Sequence, residues 1–278
     1  MVKFLNNWIF LLGVALVCAG CGQKSSSKSW GQLTIAELKN LADKGDPQAQ
    51  TELGLRFFNG TGVLKDEQEA VEWWQKAAEQ GSPAAQYNLG VYYSSSLGRQ
   101  GAPKDAQEAV KWYRKAAEQN WPAAEHDLGI AYGKGLGVEK NKDEEFRWMQ
   151  KSANQGDMFA EVRMGALYES GSGVKQDYSK AIEWFRKAAD SGNAEGEAGL
   201  AYCDAATKNY KEAFNWFQKA AIQGQPIAQY GLGICYRDGQ GTKTNLNEAV
   251  IWLHRAATNG VPAAKEALDA LQPNGEPN

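Results

Sequence analysis

The 278-residue chain predicts an all-α solenoid of about six stacked, antiparallel helix pairs. Three observations carry that reading. A tryptophan returns at Trp73, Trp112, Trp148, Trp184, Trp216 and Trp252, in steps of 39, 36, 36, 32 and 36 residues. Three positions after each comes Lys or Arg and then a small pair, from Lys76-Ala77-Ala78 through to Arg255-Ala256-Ala257. Ten residues before each of those cations stands Asp66, Asp105, Asn141, Asp177, Asn209 or Asn245. Self-similarity at this period marks units that bury their apolar faces only by stacking on one another.

The first helix of each unit runs like Ala85-Gln-Tyr-Asn-Leu89-Gly90-Val-Tyr-Tyr93, with apolar or small residues three and four apart. A turn follows: Gly60-Thr-Gly62, Gly135-Leu-Gly137, Gly171-Ser-Gly173 and Gly239-Gln-Gly241. A G-x-G loop can cradle phosphate, but this one follows no strand and recurs before each capped helix. It reads as a tight connection between helices. The second copy carries a three-residue insertion around Ser94–Ala102, and the fifth passes straight from Lys208 to Asn209.

The second helix opens on the Asp/Asn column, whose side chains can accept from free amides of the first turn. Glu follows three residues later in five of six copies, at Glu69, Glu108, Glu144, Glu212 and Glu248, and suggests a reciprocal capping box. The helix closes at Gly81, Gly156, Gly192, Gly224 and Gly260, with Asn120 in the second copy, where a left-handed residue is wanted. Leu89-Gly90 recurs as Leu53-Gly54, Leu128-Gly129, Met164-Gly165 and Leu232-Gly233. Glycine is costly inside a helix. Close helix approach compensates if the repeat tryptophan lies over the bare backbone. The column Phe57, Tyr93, Tyr132, Tyr168 and Tyr236, broken by Asp204, reads as a second core ladder.

The pattern A-x-x-x-L-G-x-x-Y, G-x-G-V, D/N-x-x-x-A-x-x-W-x-x-K-A-A resembles the Sel-one-like repeat, a relative of the tetratricopeptide repeat. The resemblance covers roughly Ala49 to Gly260, with half-repeats at Leu38–Gly45 and Pro262–Leu271. It implies a right-handed superhelix of helix pairs and a role as adaptor in protein complexes, often in bacterial envelopes. In tetratricopeptide-like arrays the first helices line the concave side. On these helices three columns spaced four apart vary from copy to copy, which places them on one stripe. From that stripe Glu52, Arg56, Asn88, Tyr92, Asp127 and Arg163 are the expected contacts to a protein partner; the alternative is a solvated face without a special role.

The N-terminus reads as an address. Lys3 precedes a mostly apolar run from Phe4 to Val17, and small residues Ala19 and Gly20 lead to Cys21. These are the parts of a secretory signal peptide. Val17-Cys18-Ala19-Gly20-Cys21 resembles the bacterial lipoprotein signal, with Cys18 where that signal usually has Leu. The resemblance implies cleavage before Cys21 and lipid attachment there. Gly22, in place of the Asp that commonly retains lipoproteins at the inner membrane, implies the periplasmic side of the outer membrane. The expected organisation is a signal over 1–20, a Ser-rich tether over 21–32, the solenoid over 33–271 and a tail over 272–278.

A formal net charge of −3 and an isoelectric point near 5.6 disfavour nucleic acid. The two histidines, His126 and His254, lie in distant copies without metal-ligand spacing. No cofactor, metal or catalytic residue is expected. Cys203 and Cys235 share a column in successive copies. Stacked helices sit about 8–10 Å apart, which favours two reduced thiols over a bridge. Some cysteine-rich Sel-one-like relatives are linked to β-lactam hydrolysis, but they carry a cysteine pair in each repeat, and this chain carries none. Ser25–Lys28 and Ser172–Lys175 match S-x-x-K without the companion motifs of serine β-lactamases. The three functions left open are an envelope scaffold or adaptor, an immunity protein masking a secreted effector such as a lipase, and a β-lactamase-like hydrolase.

Overall fold

A computed structural model of the chain describes residues 29–94 and 105–271. The signal segment, Cys21, most of the tether, the inserted stretch of the second copy after Ser94 and the tail over 272–278 lie outside the described residues. Among the described residues fourteen α-helices and one short 3-10 turn follow one another, with no strand. A leading helix α1 (Ile35–Asp43) is followed by six hairpins: α2 (Pro47–Asn59) with α3 (Glu67–Glu79), α4 (Pro83–Ser94) with α5 (Ala106–Ala117), α6 (Pro122–Lys134) with α7 (Lys142–Asn154), α8 (Met158–Ser170) with α9 (Tyr178–Asp190), α10 (Ala194–Ala206) with α11 (Tyr210–Ile222), and α12 (Pro226–Asp238) with α13 (Leu246–Thr258). Helix α14 (Pro262–Asp269) closes the array. Each helix packs on the one before it and the one after it, as a solenoid requires.

Local chemistry sets the helix ends. The side chains of Asp66, Asp105, Asn141, Asp177 and Asn245 accept from first-turn amides of their helices. The second helices end on left-handed residues, with Gly81 at φ +88° and Asn120 at +59°. In the fifth hairpin, which lacks the G-x-G turn, Lys208 takes a left-handed φ of +65° and Asn209 makes no side-chain cap. Its amide nitrogen Nδ2 instead donates to Asp204.

The core is a row of small and branched side chains where helices cross. Leu53, Leu89, Leu128, Met164, Leu200 and Leu232 are all fully buried. Burial of each such side chain contributes about 1.5–3 kcal/mol. Over the helical glycines lies the residue after the repeat tryptophan, not the tryptophan itself: Trp74 over Gly54, Tyr113 over Gly90, Met149 over Gly129, Phe185 over Gly165 and Leu253 over Gly233. A Cβ on Gly90 would stand 2.5 Å from the Tyr113 ring. One helix position is about 100° of rotation, and that rotation aims the tryptophans at the preceding unit. Trp73 joins Leu33, Leu38, Ala42 and Leu53, and Trp148 joins Ala109, Val110 and Ala116. The cation three residues on covers each indole: Lys76 Nζ lies 3.9 Å from the Trp73 ring centre and Lys187 Nζ 3.8 Å from that of Trp184.

In three second helices the third-position glutamate does not complete the expected capping box. Glu69, Glu144 and Glu248 accept from the indole nitrogens of Trp73, Trp148 and Trp252 at 2.9, 2.9 and 3.1 Å. One turn of helix separates the two residues, so the carboxylate orients the indole instead of returning to the cap.

A buried polar ladder ties neighbouring units together. Gln50, Gln86 and Gln229 donate to the carbonyls of Ala42, Ala78 and Ala221, each eight residues earlier in the preceding helix. They accept in turn from Gln80, Gln119 and Asn259 at 2.7, 2.8 and 2.8 Å. The same column carries Glu125, Glu161 and Glu197 in the third to fifth hairpins, all buried.

Candidate functional site

The stripe of expected contacts does not form one open surface. Its third column turns inward: Arg56, Ala131, Leu167, Cys203 and Cys235 are buried. Its middle column meets the second helix of the preceding unit, as a Cβ on Gly199 would stand 2.5 Å from the Phe185 ring. Much of the variation from copy to copy therefore matches one hairpin to the next.

Arg56 illustrates this. Its guanidinium donates to the carbonyls of Leu33 and Trp30 at 2.8 and 3.0 Å and to Glu52 Oε1 at 3.0 Å, and only 8% of the residue is exposed. The pair Glu52–Arg56 thus pins the entering chain. Trp30–Gln32, expected as the end of the tether, is a 3-10 turn docked on the first hairpin. Asn88 is 5% exposed and its Nδ2 has no hydrogen-bond partner. Tyr92 is half-buried and meets Tyr93 edge-on at 5.3 Å between ring centres.

Asp127 and Arg163 come together around His126. The His126 Nδ1 and Asp127 Oδ1 lie 3.1 Å apart, with the two side chains 21% and 29% exposed. Burial alone would lower the imidazole pKa; the hydrogen bond and charge of Asp127 outweigh it, and the net direction is upward. Asp127 also lies beside the Tyr87 and Tyr113 hydroxyls, both pushed up by burial first and by that carboxylate second. The Phe159 ring, 47% exposed, stands 6.3 Å from the His126 ring. Arg163 Nε donates to Glu145 Oε1 at 2.9 Å, and Lys142 Nζ reaches Glu145 Oε2 at 2.6 Å. Glu145 is fully buried.

Sequence reasoning set His126 aside and missed Glu145 altogether. The signal was present in the column alignment of the copies. Glu145 replaces the alanine of Ala70, Ala109, Ala181, Ala213 and Ala249. Gly133, in a column that elsewhere holds Phe58, Ser94, Glu169, Ala205 and Arg237, makes room for it: a Cβ there would stand 2.4 Å from the Glu145 carboxyl carbon. Two departures from the repeat that fit one another mark a specific site.

Cys203 and Cys235 are free and buried. Burial pushes their thiols up, to about 12 and about 11. Among the described residues no group of three His, Cys, Asp or Glu could hold a metal ion, and no helix is long and apolar enough to cross a membrane.

A stacked array of hairpins with a polar, aromatic patch on its first helices is the fold of a protein-binding repeat. The chain belongs to the Sel1 repeat family, whose sequence profile matches residues 47–82, 83–121, 122–157, 159–193, 194–225 and 226–261. The crystal structure of c5321, a protective antigen present in uropathogenic Escherichia coli strains, is similar with a TM-score of 0.78 at 34% identity, over 86% of this chain and 52% of that one. A Sel1 repeat protein from Oxalobacter formigenes gives a TM-score of 0.69 at 34% identity, over 85% and 69% of the two chains. The secretory immunoglobulin A-binding protein EsiB of Escherichia coli O6:H1 is 33% identical over 64 residues, which is 23% of this chain and 13% of that protein. The chain thus spans about half the length of c5321 and a small part of EsiB.

Proposed function

We propose that the chain is a non-catalytic envelope lipoprotein that binds another protein through the first-helix face of its second to fourth hairpins. The observation that carries this is the patch of His126, Asp127, Phe159 and Arg163. There a partly buried, hydrogen-bonded His–Asp pair and an exposed aromatic ring stand side by side. An aromatic anchor bordered by charged groups is the composition of binding hot spots. The similarity to EsiB, a secretory immunoglobulin A-binding protein, is in keeping with a protein ligand.

In this reading Cys21 carries the lipid and the array faces the periplasm from the outer membrane. Multiple acyl chains at one cysteine suit stable attachment. The work of the array is that of an adaptor in an envelope assembly; masking of a secreted effector is the other form the same contact takes.

The test pairs capture with a variant. The chain with Cys21→Ser is the bait, beside the same bait carrying His126→Ala and Phe159→Ala. A partner held by the first and lost at least about tenfold by the second supports the face; a loss of that size corresponds to about 1.4 kcal/mol. A partner held equally by both removes it. An effector that is neutralised one-to-one selects the masking role, and an envelope component of the same cell selects the adaptor. Radiolabelled palmitate incorporation that persists in Cys21→Ser defeats the lipid assignment. Nitrocefin hydrolysis by the purified chain defeats the non-catalytic one.

A further inference from the structure

We propose that Glu125 is a proton-operated latch between the second and third hairpins. When neutral, its Oε1 donates to the carbonyl of Ala117 and makes the bond that Gln50, Gln86 and Gln229 make at their own junctions. The geometry of the column carries this. Each of those glutamines reaches the carbonyl eight residues before it, and eight residues before Glu125 is Ala117. Glu125 Oε2 already accepts from Gln155 Nε2 at 2.6 Å, as Gln86 accepts from Gln119. Glu125 Oε1 is buried and has no partner. A carboxylate has no proton to give a carbonyl; a carboxylic acid has one. The ladder is therefore complete at this junction only in the neutral form.

The groups facing Glu125 agree. From α7 come the Gln155 amide and the charge of Lys151, and α5 ends in carbonyls on the other side. Burial raises the Glu125 pKa and outweighs the lowering by Lys151 and by Gln155. The other two carboxylates of the column are placed differently. Glu197 Oε1 forms no hydrogen bond either, but it lies 2.9 Å from Lys219 Nζ and so has a cation beside it. Glu161 faces Lys187 and Asp157, and Ser191 stands where its neighbours have Gln155 and Gln223.

The sign follows from the raised value. A carboxyl held above its unfolded pKa adds stability in full below the unfolded value, near 4.5, and that stability is lost as pH rises through the folded value. Mild acid closes the junction and neutral pH loosens it. Glu125 directly precedes His126 and Asp127, so the latch lies on the helical turn that presents the candidate face. The inference concerns the junction itself and stands apart from whether that face binds a partner.

Thermal unfolding of wild type, Glu125→Gln and Gln86→Glu between pH 7.5 and 4.5 tests it. Glu125→Gln raises Tm at pH 7.5 by about 2–4 °C, and the gap closes to within about 1 °C at pH 4.5. Gln86→Glu lowers Tm at pH 7.5 and recovers on acidification; if it fails to fold, Glu125→Gln alone decides. His126, whose imidazole pKa is raised by Asp127, is the neighbouring titratable group, so the Glu125→Gln comparison is repeated in a His126→Gln background, where the gap must close in the same way. A Glu125→Gln chain no more stable than wild type at pH 7.5, or a gap unchanged at pH 4.5, overturns the latch.

Discussion

At the outer hairpins the buried junction side chain is Gln50, Gln86 or Gln229, and each amide both donates and accepts across the gap between units. At the third to fifth hairpins the same position holds Glu125, Glu161 or Glu197, which can only accept when ionised. The same central stretch contains the extra buried carboxylate Glu145, the His126–Asp127 pair, the exposed Phe159 and the hairpin that lost its G-x-G turn. The array is periodic in shape and uneven in charge. Neutral amides give a junction that is satisfied at every pH, whereas buried carboxylates need a proton or a cation and so make the junction conditional. The conditional junctions lie beside the candidate face.

The largest effect expected from this contrast is at Glu145. Replacing both Lys142 and Arg163 by Met leaves its carboxylate buried and uncompensated and lowers stability by about 3–5 kcal/mol in urea unfolding. Adding Glu145→Ala, the residue of the other five hairpins, recovers most of the loss. If the triple variant is no better than the double, the penalty does not come from the buried charge. A smaller contrast lies in the G-x-G turns. Gly62 and Gly137 both have a left-handed φ, +74° and +69°. A Cβ on Gly62 meets only the Ile35 side chain at 3.7 Å, while one on Gly137 would stand 2.0 Å from the Ala106 carbonyl oxygen. Gly62→Ala therefore costs about 1 kcal/mol of backbone strain, and Gly137→Ala clearly more; equal midpoint shifts in urea would contradict the close approach of α5. The smallest effect is on His126. The raised pKa means its contribution is full below the unfolded value near 6.5 and fades as pH rises through the folded one. Asp127→Asn brings the imidazole pKa down, read from the ring-proton shifts in an NMR titration, and an unchanged titration would place the cause elsewhere.

Much of this was legible in the chain itself. The period, the Asp/Asn caps and the left-handed Gly and Asn120 stops follow from interactions within one or two helical turns, and the structure has each where the residues put it, save the missing side-chain cap of Asn209. The glutamate three residues after the cap was read as returning to it, yet in three hairpins it holds the indole. Both geometries are within reach of the same carboxylate, and only the direction in which the indole packs selects one. The placement of Arg56 was hidden for a similar reason. Its partners are carbonyls 23 and 26 residues away, in a stretch with no repeat to align. Of the candidate site, Asp127 and Arg163 were found from column variation; Glu145, Gly133 and His126 show themselves only when two departures are seen to touch.

The amino-acid sequence by itself determined that this protein is a stack of capped helix pairs, because caps, turns and the 3.6-residue rhythm are local. Tertiary structure alone decided which residue beside each tryptophan covers the glycine, which variable side chains are buried, and where a carboxylate is left without a donor. Those outcomes depend on the rotation of one helix against another some thirty residues away. A repeating pattern announces that such contacts recur without saying which atoms make them.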